Sequence, residues 1–282
     1  LLAVVGMVWL FTYVPNPIQS LKRRDTRLFK DQLGEVLKNP DLLRLDFGIF
    51  ALHMCLTAMF IAVPMSLLSH IDMPAKEHWL VYLTVMVFSF FAMVPFIIVG
   101  EKKRQMKKIF LFAITLLLVG SLSSIWTQER FGAFWASLFV FFMAFNLLEA
   151  MLPSLMSKVA PAGAKGTAMG VYSTCQFLGA FLGGVVSGYL IEFYSTWAVF
   201  QCALVLIVLW LLAAISMRTP RFLTSVQVPL VDVPLDAAGL KLEGLPGVAE
   251  VVLIREEACA YLKVDATLFD RSALESIDWA KA

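Results

Sequence analysis

The stretch FGAFWASLFVFFMAFNLLEAMLPSL, residues 131–155, holds 25 residues and one charge, Glu149. At ~1.5 Å per residue it reaches about 38 Å as a helix, enough to cross a hydrocarbon layer of roughly 30 Å. A helix in water keeps a polar face, and this segment has none. Five further stretches of 18–23 residues carry no charge at all: Phe47–Leu68, Trp79–Val99, Ile109–Trp126, Met169–Ile191 and Trp197–Met217. Lipid as the solvent accounts for all six, because a helix satisfies its own backbone hydrogen bonds where no water can. A composition of 60% hydrophobic and 16% charged residues excludes an ordinary soluble domain. The expected fold class is an all-α polytopic membrane bundle over residues 47–217, joined to a small α+β domain.

The connections fix the orientation. Residues 15–46 hold seven Lys and Arg, Gly100–Lys108 five, the loop with Lys158 and Lys165 two, and the exit after Met217 two. The intervening loops hold one (Lys76), one (Arg130) and none. Basic loops stay in the cytoplasm, so the C-terminal tail is expected inside, in a multi-pass protein of a bacterial inner membrane. The net charge of +2 says little, because these charges are segregated by loop and give no nucleic-acid surface.

The chain divides further. Leu1–Val14 is apolar but spans only about 21 Å as a helix. It lacks an initiator Met and a basic leader, so it reads as the end of a transmembrane helix in a truncated chain. Residues 15–46 read as a cytoplasmic linker. Within it, Thr26–Leu37 places Leu28, Phe29, Leu33 and Leu37 on one face, as for an amphipathic helix on the inner membrane surface. A long basic connection before six closely linked spans is how the second half of a two-bundle transporter begins. The tail, residues 222–282, alternates as strands at 225–230, 248–254 and 258–264, with helices at 235–245 and 271–279. The order β-α-β-β-α is most of a ferredoxin-like module without a visible fourth strand.

Polar groups at membrane depth are the candidates for chemistry. Glu149 stands nine residues before Lys158, roughly 13 Å inside the helix end. A carboxylate at a bilayer centre costs ~2.5–3.5 kcal/mol or more, so it should face the bundle interior or water. Burial there would favour the neutral acid, the form a proton-coupled step uses. Asn146 is expected to share its helix face. His53 and Gln176 lie at similar depths and could join Glu149 in one polar layer, with Thr57 and Tyr172 one turn from them. The alternatives stay open: a structural carboxylate at Glu149, and a hydrogen-bonded packing histidine at His53. Gly179, Gly183, Gly184 and Gly188 form two GxxxG pairs that let another helix approach closely. Cys55, Cys175, Cys202 and Cys259 form no CxxC pair, so neither disulfide nor metal is expected. No P-loop, GxSxG or HExxH spacing supports an enzyme, and no cofactor is expected.

The loop Gly100-Glu101-Lys102-Lys103-Arg104-Gln105-Met106-Lys107-Lys108 resembles the acidic-then-basic motif A repeat of the major facilitator superfamily. Asn146-Leu-Leu-Glu149-Ala-Met-Leu-Pro153-Ser154, followed by Lys165-Gly166-Thr167-Ala-Met-Gly170, is similar to its YajR-type drug/proton antiporter subgroup. That subgroup also carries a small ferredoxin-like domain after its last helix. The resemblance implies that the six spans are helices 7–12 of a twelve-helix fold whose N-terminal half is missing here. It implies a proton-coupled exporter of small molecules, monomeric at full length. The loop departs from the motif in keeping Met106-Lys107-Lys108 where the family has Gly-Arg, so a charge lock is not expected there. The tail's Val231–Ala237 junction has no cysteine, which excludes soft-metal binding through a CxxC loop. A second reading, from another class, is a regulatory membrane protein whose cytoplasmic domain senses a ligand or partner.

Overall fold

The computed structural model describes residues 2–14, 30–161, 163–219, 223–230, 235–254, 259–265, 267–270 and 272–275. A short exposed helix, α1 (Leu2–Tyr13), precedes α2 (Lys30–Lys38). Six long apolar helices follow: α3 (Pro40–Ser69), α4 (His78–Lys102), α5 (Met106–Thr127), α6 (Phe131–Val159), α7 (Lys165–Phe193) and α8 (Thr196–Ile215). All six are long and apolar enough to cross a membrane.

The largest departure from the sequence reading is at the start of α3, which begins seven residues before Phe47. The cause is local. Asn39 is the N-cap, and its Oδ1 accepts from the backbone N–H groups of Asp41 (3.0 Å) and Leu42 (3.4 Å). Pro40 occupies the first turn, where its missing N–H costs nothing. Two more turns of helix therefore carry Asp46 into the bundle, where it is buried.

Helix α3 is the hub, packing on α7, α8 and α6, while α5 packs on α6 and α8, and α4 on α6. Small residues set the closest approaches. A Cβ on Gly179 would lie 2.2 Å from the Phe50 carbonyl oxygen, and one on Gly183 would lie 2.6 Å from that of Met54. Gly120 of α5 similarly meets the backbone of Phe141 in α6, at 2.6 Å, a contact with no GxxxG signature. Gly184 has only ordinary contact with Thr57, and Gly188 faces open space. The two-pair packing expected of the four glycines thus reduces to Gly179 and Gly183, because only their shared face meets the backbone of α3. Polar links are fewer: Asn146 Nδ2 donates to Ser89 Oγ (2.9 Å) and Trp135 Nε1 to Thr84 Oγ1 (3.0 Å) between α6 and α4. Such bonds average ~0.6 kcal/mol within membranes, so close packing carries most of the helix association.

The described part of the 26–37 segment is helical, and of its expected apolar face Leu33 is half-buried and Leu37 exposed. In α2, Gln32 and Val36 are buried against protein. Gln32 Nε2 donates to the Gly163 carbonyl (2.9 Å), and its Oε1 accepts from Thr167 Oγ1 (3.0 Å). These bonds tie α2 to α7 and the loop before it. The basic run at Lys22–Arg27 lies outside the described residues.

The tail is a small α+β module: β1 (Leu223–Pro229), α9 (Leu235–Glu243), β2 (Val248–Ile254), β3 (Cys259–Asp265) and a short α10 (Ser272–Glu275). The sheet order is β1-β3-β2, antiparallel throughout, with Val226 opposite Leu262 and Val251 opposite Leu262. Pro229 is tolerated because β1 is an edge strand. Ala260, Leu262 and Val264 of β3 face a core with Ala238 and Leu242 of α9. By the two-residue period, Cys259, Tyr261 and Lys263 face the other way, and all three are buried. A fourth strand is absent among the described residues.

Replacing Gly179 by Leu is expected to destabilise the bundle by about 1–3 kcal/mol or more, since backbone must move. Gly188→Leu should be neutral. Thermal unfolding in detergent distinguishes the two; equal midpoints would refute the close-approach account.

Candidate functional site

Three of the polar residues singled out from the sequence meet between α3, α6 and α7. Gln176 Nε2 lies 2.8 Å from His53 Nε2 and 3.4 Å from Glu149 Oε1. Glu149 Oε2 is 3.8 Å from His53 Nε2. His53 Nδ1 stands 3.3 Å from the Ile49 carbonyl one turn below, and so donates to it. In the tautomer with the proton on Nδ1, Nε2 is the lone-pair nitrogen, and the Gln176 amide donates one hydrogen to it and the other to Glu149. The ring packs edge-on against Phe145 at a centroid distance of 6.0 Å. Glu149 Oε2 is buried with no hydrogen-bond partner, although the side chain as a whole keeps 38% of its exposure.

The other members of the expected layer go elsewhere. Asn146, expected beside Glu149, turns instead to Ser89 of α4. Three residues rotate a helix by roughly 300°, leaving an offset wide enough for Asn146 and Glu149 to meet different neighbours. Thr57 Oγ1 donates to the His53 carbonyl (3.0 Å), a bond within its own helix. Tyr172 is buried on α7 with its hydroxyl unpartnered. The sequence reading missed Asp46, which is 4% exposed with neither carboxylate oxygen hydrogen-bonded. Its signal was the Asn39-Pro40 cap, which places it inside a helix rather than in the linker.

A second polar cluster forms at the basic end of the bundle. Glu101 accepts from Lys158 Nζ at 2.9 Å and from Ser154 Oγ at 3.4 Å, bridging α4 to α6. A charge contact therefore exists despite the altered loop, because Lys158 supplies the partner from another helix. Gly100 is buried against Ile109, while Lys102 and Lys108 are exposed. Lys107 Nζ donates to the carbonyls of Ile215 and Met217 at the end of α8. Arg104, at φ 52°, reaches Asp265 of β3 at 3.5 Å. Lys263 Nζ donates to the carbonyls of Lys158 (2.9 Å) and Ala160, so the tail module supplies the N–H donor that closes the C-terminus of α6. Burial lowers the pKa of Lys263 below the ordinary lysine value, with Glu250 opposing and Lys165 adding to the effect. Asp265 is held below the usual carboxylate range chiefly by hydrogen bonds from Thr267, then by Arg104.

A cleft of about 610 Å³ lies beside this contact, lined by Lys38, Asp41, Lys158, Arg218, Glu250 and Lys263. An open apolar groove of about 470 Å³ between α4 and α6, with Phe88, Phe131 and Trp135, stands apart from Glu149. Among the described residues, no group of three or more His, Cys, Asp or Glu could hold a metal.

The polar junction between α3, α6 and α7 therefore lies within a bundle of six helices long and apolar enough to cross a membrane. Residues 1–184 match the model of the Major Facilitator Superfamily, and the chain belongs to that family. It is 39% identical over 277 residues to the inner membrane transport protein YajR of Escherichia coli K12, covering 98% of this chain and 61% of YajR. It is 32% identical over 184 residues to an uncharacterized transporter of Buchnera aphidicola, covering 64% of this chain and 47% of that protein. The crystal structure of the POT family transporter PepTSo shares the fold, with a TM-score of 0.55 at 12% identity over 67% of this chain and 37% of that one. The chain thus spans roughly half to three-fifths of the length of these curated relatives. It is a multi-pass protein of the bacterial inner membrane.

The two contacts to the tail module differ in worth. The exposed Arg104–Asp265 pair is screened by solvent, so Arg104→Ala should leave the module docked. Lys263→Glu sets a carboxylate against carbonyl oxygens and should release it, read as faster hydrogen exchange across residues 155–161 and 259–265. Because the docked lysine binds its proton less readily than the released one, docking should strengthen as pH rises through the lowered pKa toward the ordinary value. Equal exchange in both variants would remove Lys263 from the docking account.

Proposed function

We propose that this chain supplies the proton-handling half of a secondary transporter that exports small, largely apolar or amphipathic molecules in exchange for protons. The observation that carries the reading is the Gln176 amide bridging His53 and Glu149 from a third helix. In that arrangement both amide hydrogens are committed. A proton arriving at His53 Nε2 removes the acceptor that Gln176 uses. The amide must then turn or withdraw, and the imidazolium is drawn to the Glu149 carboxylate 3.8 Å away. A proton taken by Glu149 instead cancels that attraction. Each protonation state therefore prefers a different set of links among α3, α6 and α7, which is what coupling to helix movement needs. Helices α4 and α7 are the least buried of the six, which supports their facing a second bundle across the substrate path.

The regulatory reading draws support from the docked tail module, where Lys263 meets the end of the helix that carries Glu149. Removal of residues 222–282 separates the two: a transporter keeps moving solute, whereas a sensor never moves any.

Glu149→Gln, tested in the full-length protein in proteoliposomes, should abolish transport driven by a pH gradient while leaving substrate counterflow intact. The expected loss is on the order of 10²-fold, the usual worth of a positioned proton-transfer group. Unchanged gradient-driven transport would falsify the assignment.

A further inference from the structure

Asp46 belongs to no part of the chemistry above, yet its surroundings are unusual. It is 4% exposed, and neither oxygen has a hydrogen-bond partner. Burying an ionised carboxylate in this way is expensive unless it is paired, so the uncharged acid is the species this site tolerates. No cation among the described residues compensates it. Arg44 is held by Asp41 at 2.8 Å within α3, and α8 presents the uncharged indole of Trp210 against Gly48.

The titratable groups that face Asp46 come from α7. The close approaches of Gly179 to Phe50 and of Gly183 to Met54 fix one register between α7 and α3. Carried down both helices, it sets Asp46 level with Cys175, between Tyr172 and Gln176. The Tyr172 phenol lies within electrostatic reach of both Glu149 and Asp46, and Cys175 within reach of Asp46. Tyr172 and Glu149 Oε2 are, like Asp46, buried and unpartnered. Along α3, Asp46 is two turns from His53 on the same face, ~10 Å nearer the basic end. A run of unsatisfied polar groups leads from the Glu149 junction toward the cytoplasmic side, and Asp46 is its last member.

We infer that Asp46 is a second proton-binding site, placed to receive the proton from Glu149 and release it at the cytoplasmic end. Water reaching Asp46 first takes its proton and solvates the carboxylate left behind. The O–H bond of the Glu149 acid then breaks as one forms on Asp46, with Tyr172 or water between them and charge conserved. The relay role rests on the transport reading above; the protonation of Asp46 does not.

The test uses the full-length protein in nanodiscs, with infrared spectra recorded across pH, and proteoliposomes for transport. Wild type should show a carboxylic-acid carbonyl band that shifts in heavy water and is lost in Asp46→Asn but kept in Glu149→Gln. Asp46→Glu should restore both the band and gradient-driven transport, while Asp46→Asn should reduce that transport to its no-gradient rate and keep counterflow. A spectrum unchanged in Asp46→Asn, or a band that responds to sodium rather than pH, overturns the site. A band lost together with full gradient-driven transport overturns the relay. Should Glu149→Gln leave coupling intact, the transport reading falls, and the Asp46 band is still decided by its own variant.

Discussion

The contact on which the molecule depends is the one between α3 and α7, where two glycines bring backbone against backbone. Gly179 and Gly183 leave no room for a Cβ beside the carbonyls of Phe50 and Met54. In lipid there is no hydrophobic gain from pressing one apolar helix on another, so closeness itself supplies the attraction, through dispersion and shape. The same contact sets the register of the two helices. That register lets a glutamine on α7 reach a histidine on α3 and a glutamate on α6, and sets Asp46 level with Cys175.

The basic end of the bundle shows a second constraint, the need to satisfy helix carbonyls. Helices α6 and α8 end where their last carbonyls have no partner within the helix. Lysines fill both places: Lys107 from the first turn of α5 and Lys263 from the tail module. The module is thereby joined to the helix that bears Glu149 by a backbone-directed contact, which does not depend on an exposed ion pair. Glu101 and Lys158 add a side-chain link between α4 and α6 at the same level.

The sequence reading failed where the physics was not periodic. The charged neighbours of Asp46 point to a linker, although Asn39-Pro40-Asp41 carries the cap that begins the helix. A spacing of three residues sets Asn146 beside Glu149, yet α4 offers Ser89 on one side and α7 offers Gln176 on the other. The apolar stripe of the 26–37 segment gave no sign that Gln32 and Val36, off that stripe, pack on protein. Glycine spacing named four positions, and only two face a neighbour closely.

What the sequence determined by itself was the solvent and the topology. Six segments apolar on every side can only be helices in lipid, and the loop charges orient them, because both effects are additive along the chain. The alternating strands of the tail and its edge proline were legible for the same reason. Which polar groups meet was decided only by the tertiary structure. A hydrogen bond between α3, α6 and α7 depends on helix rotation and register, and these arise from packing between residues more than a hundred positions apart. His53, Gln176 and Glu149 could be singled out in the sequence as candidates, but their junction, and the burial of Asp46 beneath it, exist only once Gly179 has met Phe50.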